Sequence, residues 1–269
     1  MSIVRRPPAN LSPQLNALAE KLAEARRTQK QIASLSGDLV PATTDDAYFV
    51  NRLVADRLGW EPLGWKIAGT TAFVREKLNI DTPIYGRTFK MFQAQSPARF
   101  ARGELLDPLI ECEFFVTLAK DIPARQQPWT MEDIVEAIDC VHAGIEIAEC
   151  RFPSSALPPL PAVLADGSAS GRYVFGSQIL GWRSGLAALD VILEVDGQVK
   201  RQGRGSDVMG DPLIPLLWLA EERRRWGDGL RARETISTGS MTGMLPVRKA
   251  RSVKATFGGE STVAIDFYD

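Results

Sequence analysis

From residue 105 onward the chain is written mostly in strands. LIECEFFVTLA, GIEIAEC, YVFGSQIL, DVILEVDGQVKRQG, TISTGS and RSVKATFGGESTVAIDFY are runs rich in β-branched and aromatic residues, bounded by turn formers. Asp196-Gly197, between LEV and QVK, predicts a two-residue hairpin turn, because both residues tolerate the positive φ such a turn needs. Two helices interrupt the strands: 131–139, capped by Thr130 with Asp133 three residues on, and 212–226, opened by Asp211-Pro212. The stretch 153–172 (PSSALPPLPAVLADGSASGR) is rich in proline, serine and glycine and reads as a long loop, a length often kept for function.

Upstream the texture is helical. Residues 11–35 carry Leu15, Leu18, Leu22 and Ala23 at helical spacing, with Ser12-Pro13 as the start signal. A second helix follows Thr43-Thr44-Asp45-Asp46 and runs to Leu58, ended by Gly59. GWKIAG (64–69) reads as a short strand and TTAFVREKL (70–78) as a helix capped by its threonines. Pro83 and Gly86 in TPIYG are expected to break the chain into a loop. Strands and helices are segregated rather than alternating, and no GxGxxG follows a strand, so the class is α+β rather than a dinucleotide fold. The division expected is a smaller, largely helical N-terminal portion, 1–100, and a β-rich catalytic domain, 101–269.

Composition narrows the chemistry. Of 269 residues, 45% are hydrophobic and 24% charged, enough for a full core, and the net charge of -1 supplies no reason to expect nucleic acid or an anionic membrane as partner. Apolar runs such as PLIPLLWLA are too short to span a bilayer. The start, MSIVRRPPANLSPQ, lacks the apolar core of a secretory signal. Cys112, Cys140 and Cys150, odd in number and without CxxC spacing, fit a reducing cytoplasm, and with His142 as the one histidine they cannot assemble a zinc site. The single histidine also argues against Ser-His-Asp catalysis. Any metal would be a hard cation held by carboxylates.

The segment PLIECEFFVTLAKDIP (108–123) places Glu111 and Glu113 inside an apolar strand. Residues i and i+2 share a face, so the two carboxylates sit side by side while Ile110, Cys112 and Phe114 face the other way. Either that face meets solvent or a divalent cation bridges the pair, because burying like charges unpaired is costly. GIEIAEC repeats the arrangement, with Glu146 pointing opposite to Ile145 and Ile147. Lys66, between Trp65 and Ile67, is either a surface lysine on an edge strand or a cation in a partly buried site, able to stabilise an enolate or move a proton.

Taken in order, GWKIAGTT, TPIYGRTF, PLIECEFFV, GIEIAECRF, ADGSASGRYVFGS, GRGSDVMGDPLIPLLWLA and ISTGSMTGMLPV resemble the 2-keto-4-pentenoate hydratase and 4-oxalocrotonate decarboxylase branch of the fumarylacetoacetate hydrolase superfamily. The resemblance runs from about residue 45 to the C-terminus. It implies a mixed β-sandwich roll with flanking helices, and magnesium or manganese bound by Glu111, Glu113 and Glu146. It makes Lys66 the family lysine, with Gly69 and Thr70 lining the carboxylate end of the substrate and Thr238, Gly239 and Ser240 forming a wall. It also implies a small 2-ketoacid as partner and a homo-oligomer.

Two positions depart from the hydratase pattern. P-D-[FY]-G appears as Pro83-Ile84-Tyr85-Gly86, so Ile84 replaces the acid. D-N-A-S-x-G appears as Asp166 to Gly171, with Ala169 at the aligned serine and Ser168 or Ser170 able to substitute. Both changes remove groups that position water. The loss of the acid at Ile84 tilts toward chemistry that needs less help with water, while the frequency of hydratases in the family tilts the other way; the resemblance implies a hydratase of a 2-hydroxy-2,4-dienoate in aromatic-compound catabolism first, with a 4-oxalocrotonate-type decarboxylase second. A member that binds a 2-ketoacid and metal but turns over poorly stands as the non-enzymatic alternative. His142 reads as a packed histidine, and Glu149 with Arg151 as a strand-end pair. Arg223, Arg224 and Arg225 read as cations suited to a helix C-terminus, and Trp218 and Leu219 as core.

Overall fold

Ser12 opens helix α1 (Pro13–Thr28): its hydroxyl accepts from the Leu15 amide at 3.2 Å, and Pro13 supplies a preset φ in the first turn. The structure, a computed structural model, describes residues 12–269. The expectation that no secretory signal is present rests on residues outside them. Helix α2 (Thr44–Leu58) starts on the Thr43 cap and stops where Gly59 turns left-handed, as its sequence predicts. Leu18 and Leu22 of α1 and Val50 and Val54 of α2 are fully or almost fully buried, so the two helices pack along their apolar stripes. Helix α3 (Ala72–Leu78) is capped by Thr71 but buries none of its own residues.

Two sheets carry the rest. The larger orders its strands β2 (Ile84–Phe89), β1 (Pro62–Ala68), β10 (Thr235–Ser237), β5 (Leu109–Leu118), β6 (Ile138–Ala148), β7 (Arg172–Gln178) and β3 (Gln93–Gln95), with β11 (Leu245–Pro246) also pairing β5. The smaller runs β4 (Ala98–Ala101), β13 (Ser261–Tyr268), β12 (Ser252–Phe257), β8 (Asp190–Val195) and β9 (Gln198–Arg204). β1 with β10, β3 with β7 and β4 with β13 are parallel and the other pairs antiparallel, so both sheets are mixed. The two sheets meet where Phe114 of β5 packs on Phe257 of β12, ring centroids 5.8 Å apart. Helices α4 (Met131–Ala137), α5 (Leu160–Ala165), α6 (Trp182–Gly185) and α7 (Ile214–Arg225) fill the connections. Strands from both sides of residue 101 enter both sheets, so Lys66 on β1 shares a sheet with the glutamates of β5 and β6.

The hairpin at Asp196-Gly197 forms with φ of 49° and 73°, both positive as its turn type requires. The Thr130–Asp133 capping box is present, and α4 ends at Ala137 because β6 begins at the next residue. Three expectations are corrected. TPIYG is not a loop: β2 starts directly after Pro83, whose missing N–H falls outside the ladder. Gly86 is an internal strand residue, needed because a Cβ there would lie 2.0 Å from the Gly167 carbonyl oxygen of the crossing loop. The stretch 153–172 contains α5, which buries Ala162, Leu164 and Ala165 and uses its prolines to start rather than to break. Helix α7 begins at Ile214, after a turn in which the Asp211 carboxylate accepts from the Leu213 amide at 2.8 Å.

Residues 166–171, directly after α5, are clamped. Arg151 donates from Nε to Asp166 Oδ1 at 2.9 Å, from its amide to Oδ2 at 3.0 Å, and from Nη2 to the Ser170 carbonyl at 2.7 Å. Arg26 of α1 reaches the Asp166 carbonyl and lies 3.3 Å from Oδ1. All three side chains are buried. Burial first, then the neighbouring Arg151, brings the Arg26 guanidinium down to about 10 against the pull of Asp166. The clamp opposes real strain, because Gly167, Ser168 and Ala169 are consecutive left-handed residues with φ of 85°, 55° and 60°. Asp166→Ala leaves two buried guanidiniums without their carboxylate and is expected to destabilise the fold by about 3–5 kcal/mol, read as a lower urea midpoint. An unchanged midpoint would show that the clamp contributes nothing.

Candidate active site

Register builds the site. Directly paired strand residues share a face, and so do residues two apart on one strand. Lys66 pairs with Ser237, Ser237 with Phe115, and Glu113 and Glu111 follow two and four residues along β5. Glu111 pairs with Glu146, and Glu146 with Tyr173. Lys66, Ser237, Glu113, Glu111, Glu146 and Tyr173 therefore project from one face of the larger sheet, while Cys112, Phe114 and Ile145 enter the main core behind it.

The three glutamates are buried, and one oxygen from each lies within 4.8 Å of the others. The face is thus interior, not solvated. Lys66 is equally buried, with Nζ 3.3 Å from Glu146 Oε1. It is no surface lysine either, since β1 lies between β2 and β10. Ser237 Oγ donates to Glu113 Oε2 and stands 3.2 Å from Glu146 Oε2. The Gly239 amide donates to Glu113 Oε2 at 2.9 Å.

The electrostatics are those of an over-charged buried cluster. Burial is the main force raising the Glu111 carboxyl to about 7; Lys66 opposes it and Glu146 adds to it. Glu113 is driven well above the usual carboxylate range, by burial first and then by Glu146 and Glu111. Burial alone would lower Lys66, but Glu146, Glu111 and Glu113 outweigh it and hold the ammonium above its ordinary value. Three acids against one lysine leave a deficit of positive charge that a divalent cation matches, and an all-oxygen donor set suits a small hard ion. The residues present therefore fit such an ion.

A pH dependence follows for the metal-free protein. Glu111 has a folded pKa of about 7 against an ordinary 4.5. The stability its protonated form contributes is complete below that ordinary value and is lost as pH rises through about 7. Chelator-treated protein is expected to melt progressively lower between pH 5.5 and 8, and added magnesium to restore more at pH 8 than at pH 5.5. A magnesium-induced melting shift that does not grow with pH would contradict this charge balance.

The remaining predicted site residues divide. Thr70 and Gly239 meet: a Cβ built on Gly239, whose φ is 110°, would lie 2.4 Å from Thr70 Oγ1. Thr70 and Gly239 thus lie together beside Glu113, with Gly69, Thr238 and Ser240 adjoining them in the chain. Thr238 Oγ1 is buried with no hydrogen-bond partner among the described residues. Ser170 Oγ reaches the Tyr173 hydroxyl at 3.0 Å and so connects to the glutamates. Ser168 does not: its hydroxyl donates to the Tyr85 carbonyl at 2.8 Å and ties the loop to β2. Ile84 is buried and pairs with Ala68, two residues past Lys66, which places it by alternation on the lysine's face.

Ser237 and Tyr173 were not singled out by sequence reasoning. Their only signal is register, together with adjacency to TGS and to the loop ending at Gly171. His142 is packed, its Nδ1 3.0 Å from the Gly176 carbonyl. Glu149 and Arg151 are not a pair: Glu149 meets Arg172 at 3.2 Å, and Arg151 belongs to Asp166. Arg224 and Arg225 bond to Glu221 and Glu222 one turn back, as suits a helix end. Arg223 instead is buried, its guanidinium 4.4 Å from the Trp65 ring and bonded to the Tyr85 hydroxyl at 3.2 Å. These residues line a cleft of about 1060 Å³ on the sheet face opposite the glutamates.

A mixed β-roll thus brings three carboxylates and a lysine together in its interior. No family model matches the chain. It is 28% identical over 253 residues to a 2-keto-4-pentenoate hydratase of Paraburkholderia xenovorans, covering 93% of each chain. Its structure superposes on 4-oxalocrotonate decarboxylase from Pseudomonas putida G7, a protein solved with magnesium and adipate, with a TM-score of 0.87 and 26% identity over 97% of this chain and all of that one. A fumarylacetoacetate hydrolase family protein from Yersinia pestis shares the fold at a TM-score of 0.56, with 15% identity over 77% of this chain and 94% of the other. The chain is thus similar over nearly its whole length to a hydratase and to a decarboxylase, and it shares its fold with a fumarylacetoacetate hydrolase family protein.

Proposed function

We propose that the protein is a divalent-metal-dependent lyase acting on a 2-ketoacid or its 2-hydroxydienoate form, in the first place a hydratase of a 2-hydroxy-2,4-dienoate in aromatic-compound catabolism. The observation that carries this reading is the buried cluster of Glu111, Glu113 and Glu146 with Lys66 at 3.3 Å from Glu146. Magnesium or manganese held by the three carboxylates supplies Lewis acidity toward a chelating 2-oxo carboxylate. Lys66, kept charged by the acids around it, is placed to stabilise negative charge developing on the 2-oxygen and to move a proton during ketonisation. Gly69, Thr70 and the Thr238–Ser240 wall orient the substrate, with the unpartnered Thr238 hydroxyl available to one of its oxygens. Among the described residues no helix is long and apolar enough to cross a membrane. The three free cysteines fit a cytoplasmic setting, and exposed Phe73 and Leu180 fit a homo-oligomer.

Ile84 favours a second reading. Hydration needs an activated water at C4, whereas loss of carbon dioxide from a 2-oxo-3-enedioate needs only the electron sink. A buried isoleucine on the lysine's face cannot ionise. The test mixes a 2-hydroxydienoate with protein and magnesium and follows its ultraviolet absorbance. Loss of signal at catalytic protein levels without gas is the expected hydratase result. Carbon dioxide from an oxo-enedioate substrate would instead identify the decarboxylase. A perturbation only stoichiometric with protein would mark a binder and end the enzymatic reading.

A further inference from the structure

Glu146 comes from a different strand than the Glu111–Glu113 pair, and β6 alone does not set its direction. Tyr173 stands directly across the ladder on β7 and donates its phenolic proton to Glu146 Oε1 at 3.2 Å. The same hydroxyl lies 3.0 Å from Ser170 Oγ, and Ser170 Oγ donates to the Arg87 carbonyl of β2 at 2.9 Å. With the serine proton committed to that carbonyl, the serine oxygen and Glu146 Oε1 share the single phenol proton, which holds the phenol in line between them. The other carboxylate oxygen faces Ser237 at 3.2 Å. Ser170 in turn is held by the Arg151–Asp166 clamp, whose Arg151 Nη2 bonds its carbonyl at 2.7 Å.

We propose that Tyr173, held by Ser170, is a positioning residue that aims the Glu146 carboxylate at the divalent cation. This rests on the reading of the three glutamates as ligands and extends it to the layer behind them. Outer partners of this kind fix the direction of a ligand, and their loss typically weakens metal binding by about 10–100-fold. The Tyr173 ring also packs edge-on to Phe115, centroids 5.8 Å apart, so tyrosine to phenylalanine removes the hydroxyl while keeping the packing.

The experiment is a calorimetric titration of metal-free protein with Mn²⁺ alone, on the parent, Tyr173→Phe, Ser170→Ala and Val191→Ala, with thermal melts of each. Tyr173→Phe is expected to raise the Mn²⁺ Kd by about 10–100-fold, and Ser170→Ala to move it the same way by less. Val191→Ala, in the core of the smaller sheet, is expected to melt earlier with a parent-like Kd, which separates general destabilisation from aim. A Tyr173→Phe protein that binds Mn²⁺ within twofold of the parent overturns the positioning role. Should that variant fail to fold, Ser170→Ala decides by the same criterion. A parent that binds no Mn²⁺ overturns the ligand set itself, and this proposal with it.

Discussion

Replacing Glu113 with alanine is expected to abolish divalent-cation binding and turnover while leaving the metal-free protein at least as stable as the parent at pH 8. The two halves of this result have one cause. Glu113 is among the most buried of the acids, its carboxyl raised by burial and by Glu146 and Glu111. With no cation present, its ionisation is resisted, so removing it relieves repulsion. In the proposed ligand set it is one of three anionic oxygen donors, and a small octahedral ion would keep little affinity for the remaining two. The gain is limited because Ser237 and the Gly239 amide lose their acceptor. Glu113→Gln keeps the shape and tests charge separately. Melting of both forms with and without magnesium, together with an Mn²⁺ titration, provides the measurement. Unchanged metal affinity in Glu113→Ala would remove this residue from the ligand set.

Lys66→Ala is the second large effect, and it separates the two functions of the site. The ammonium holds no metal, and its charge repels one, so metal affinity should stay or rise. Its proposed contribution comes when negative charge develops on the substrate oxygen in a buried setting. Losing such a stabilising donor typically costs about 10²–10³ in kcat, with KM moving only a few-fold. The partner left behind, Glu146, becomes an uncompensated buried acid in the metal-free form. That form should therefore melt lower and recover when magnesium is added. A fall in kcat/KM carried entirely by KM would place Lys66 in uniform binding rather than in the chemistry.

Much of the site was legible because alternation along a strand is a local rule. Glu111 and Glu113 had to share a face whatever the fold, and the Ile-Glu-Ile pattern had to set Glu146 apart from its neighbours. What local rules could not supply is register. The pairing of Glu111 with Glu146 joins two strands across a connection containing α4, and Lys66 reaches the acids only through β10, which arrives from near the C-terminal end of the chain. Ser237 and Tyr173 are ordinary strand residues until those pairings are known. The same non-locality explains the errors. TPIYG looks like a turn because proline and glycine dominate its local signal, yet β1 pairs with its Ile84, Tyr85 and Gly86. Glu149 and Arg151 look like partners because they are near in sequence, but i and i+2 positions beyond a strand end are free to turn toward different elements. Arg223 has a helix-end signature identical to that of its neighbours, and only its direction, onto Trp65, distinguishes it. The Ser12, Gly59 and Thr130 caps and the Asp196-Gly197 turn were legible because their geometry is decided within four residues.

The bond from Arg26 to Asp166 joins positions 140 residues apart in the chain. Contacts over such separations form late, since a long segment must be ordered before they give anything back. The left-handed stretch behind Asp166 is held by Arg151 and by the Ser168 and Ser170 hydroxyls, and its clamp is complete only once α1 has brought Arg26 to it. A chain whose sheets have formed but whose first helix is still undocked would resemble the finished protein in strand content, yet hold this loop with one of its two arginines.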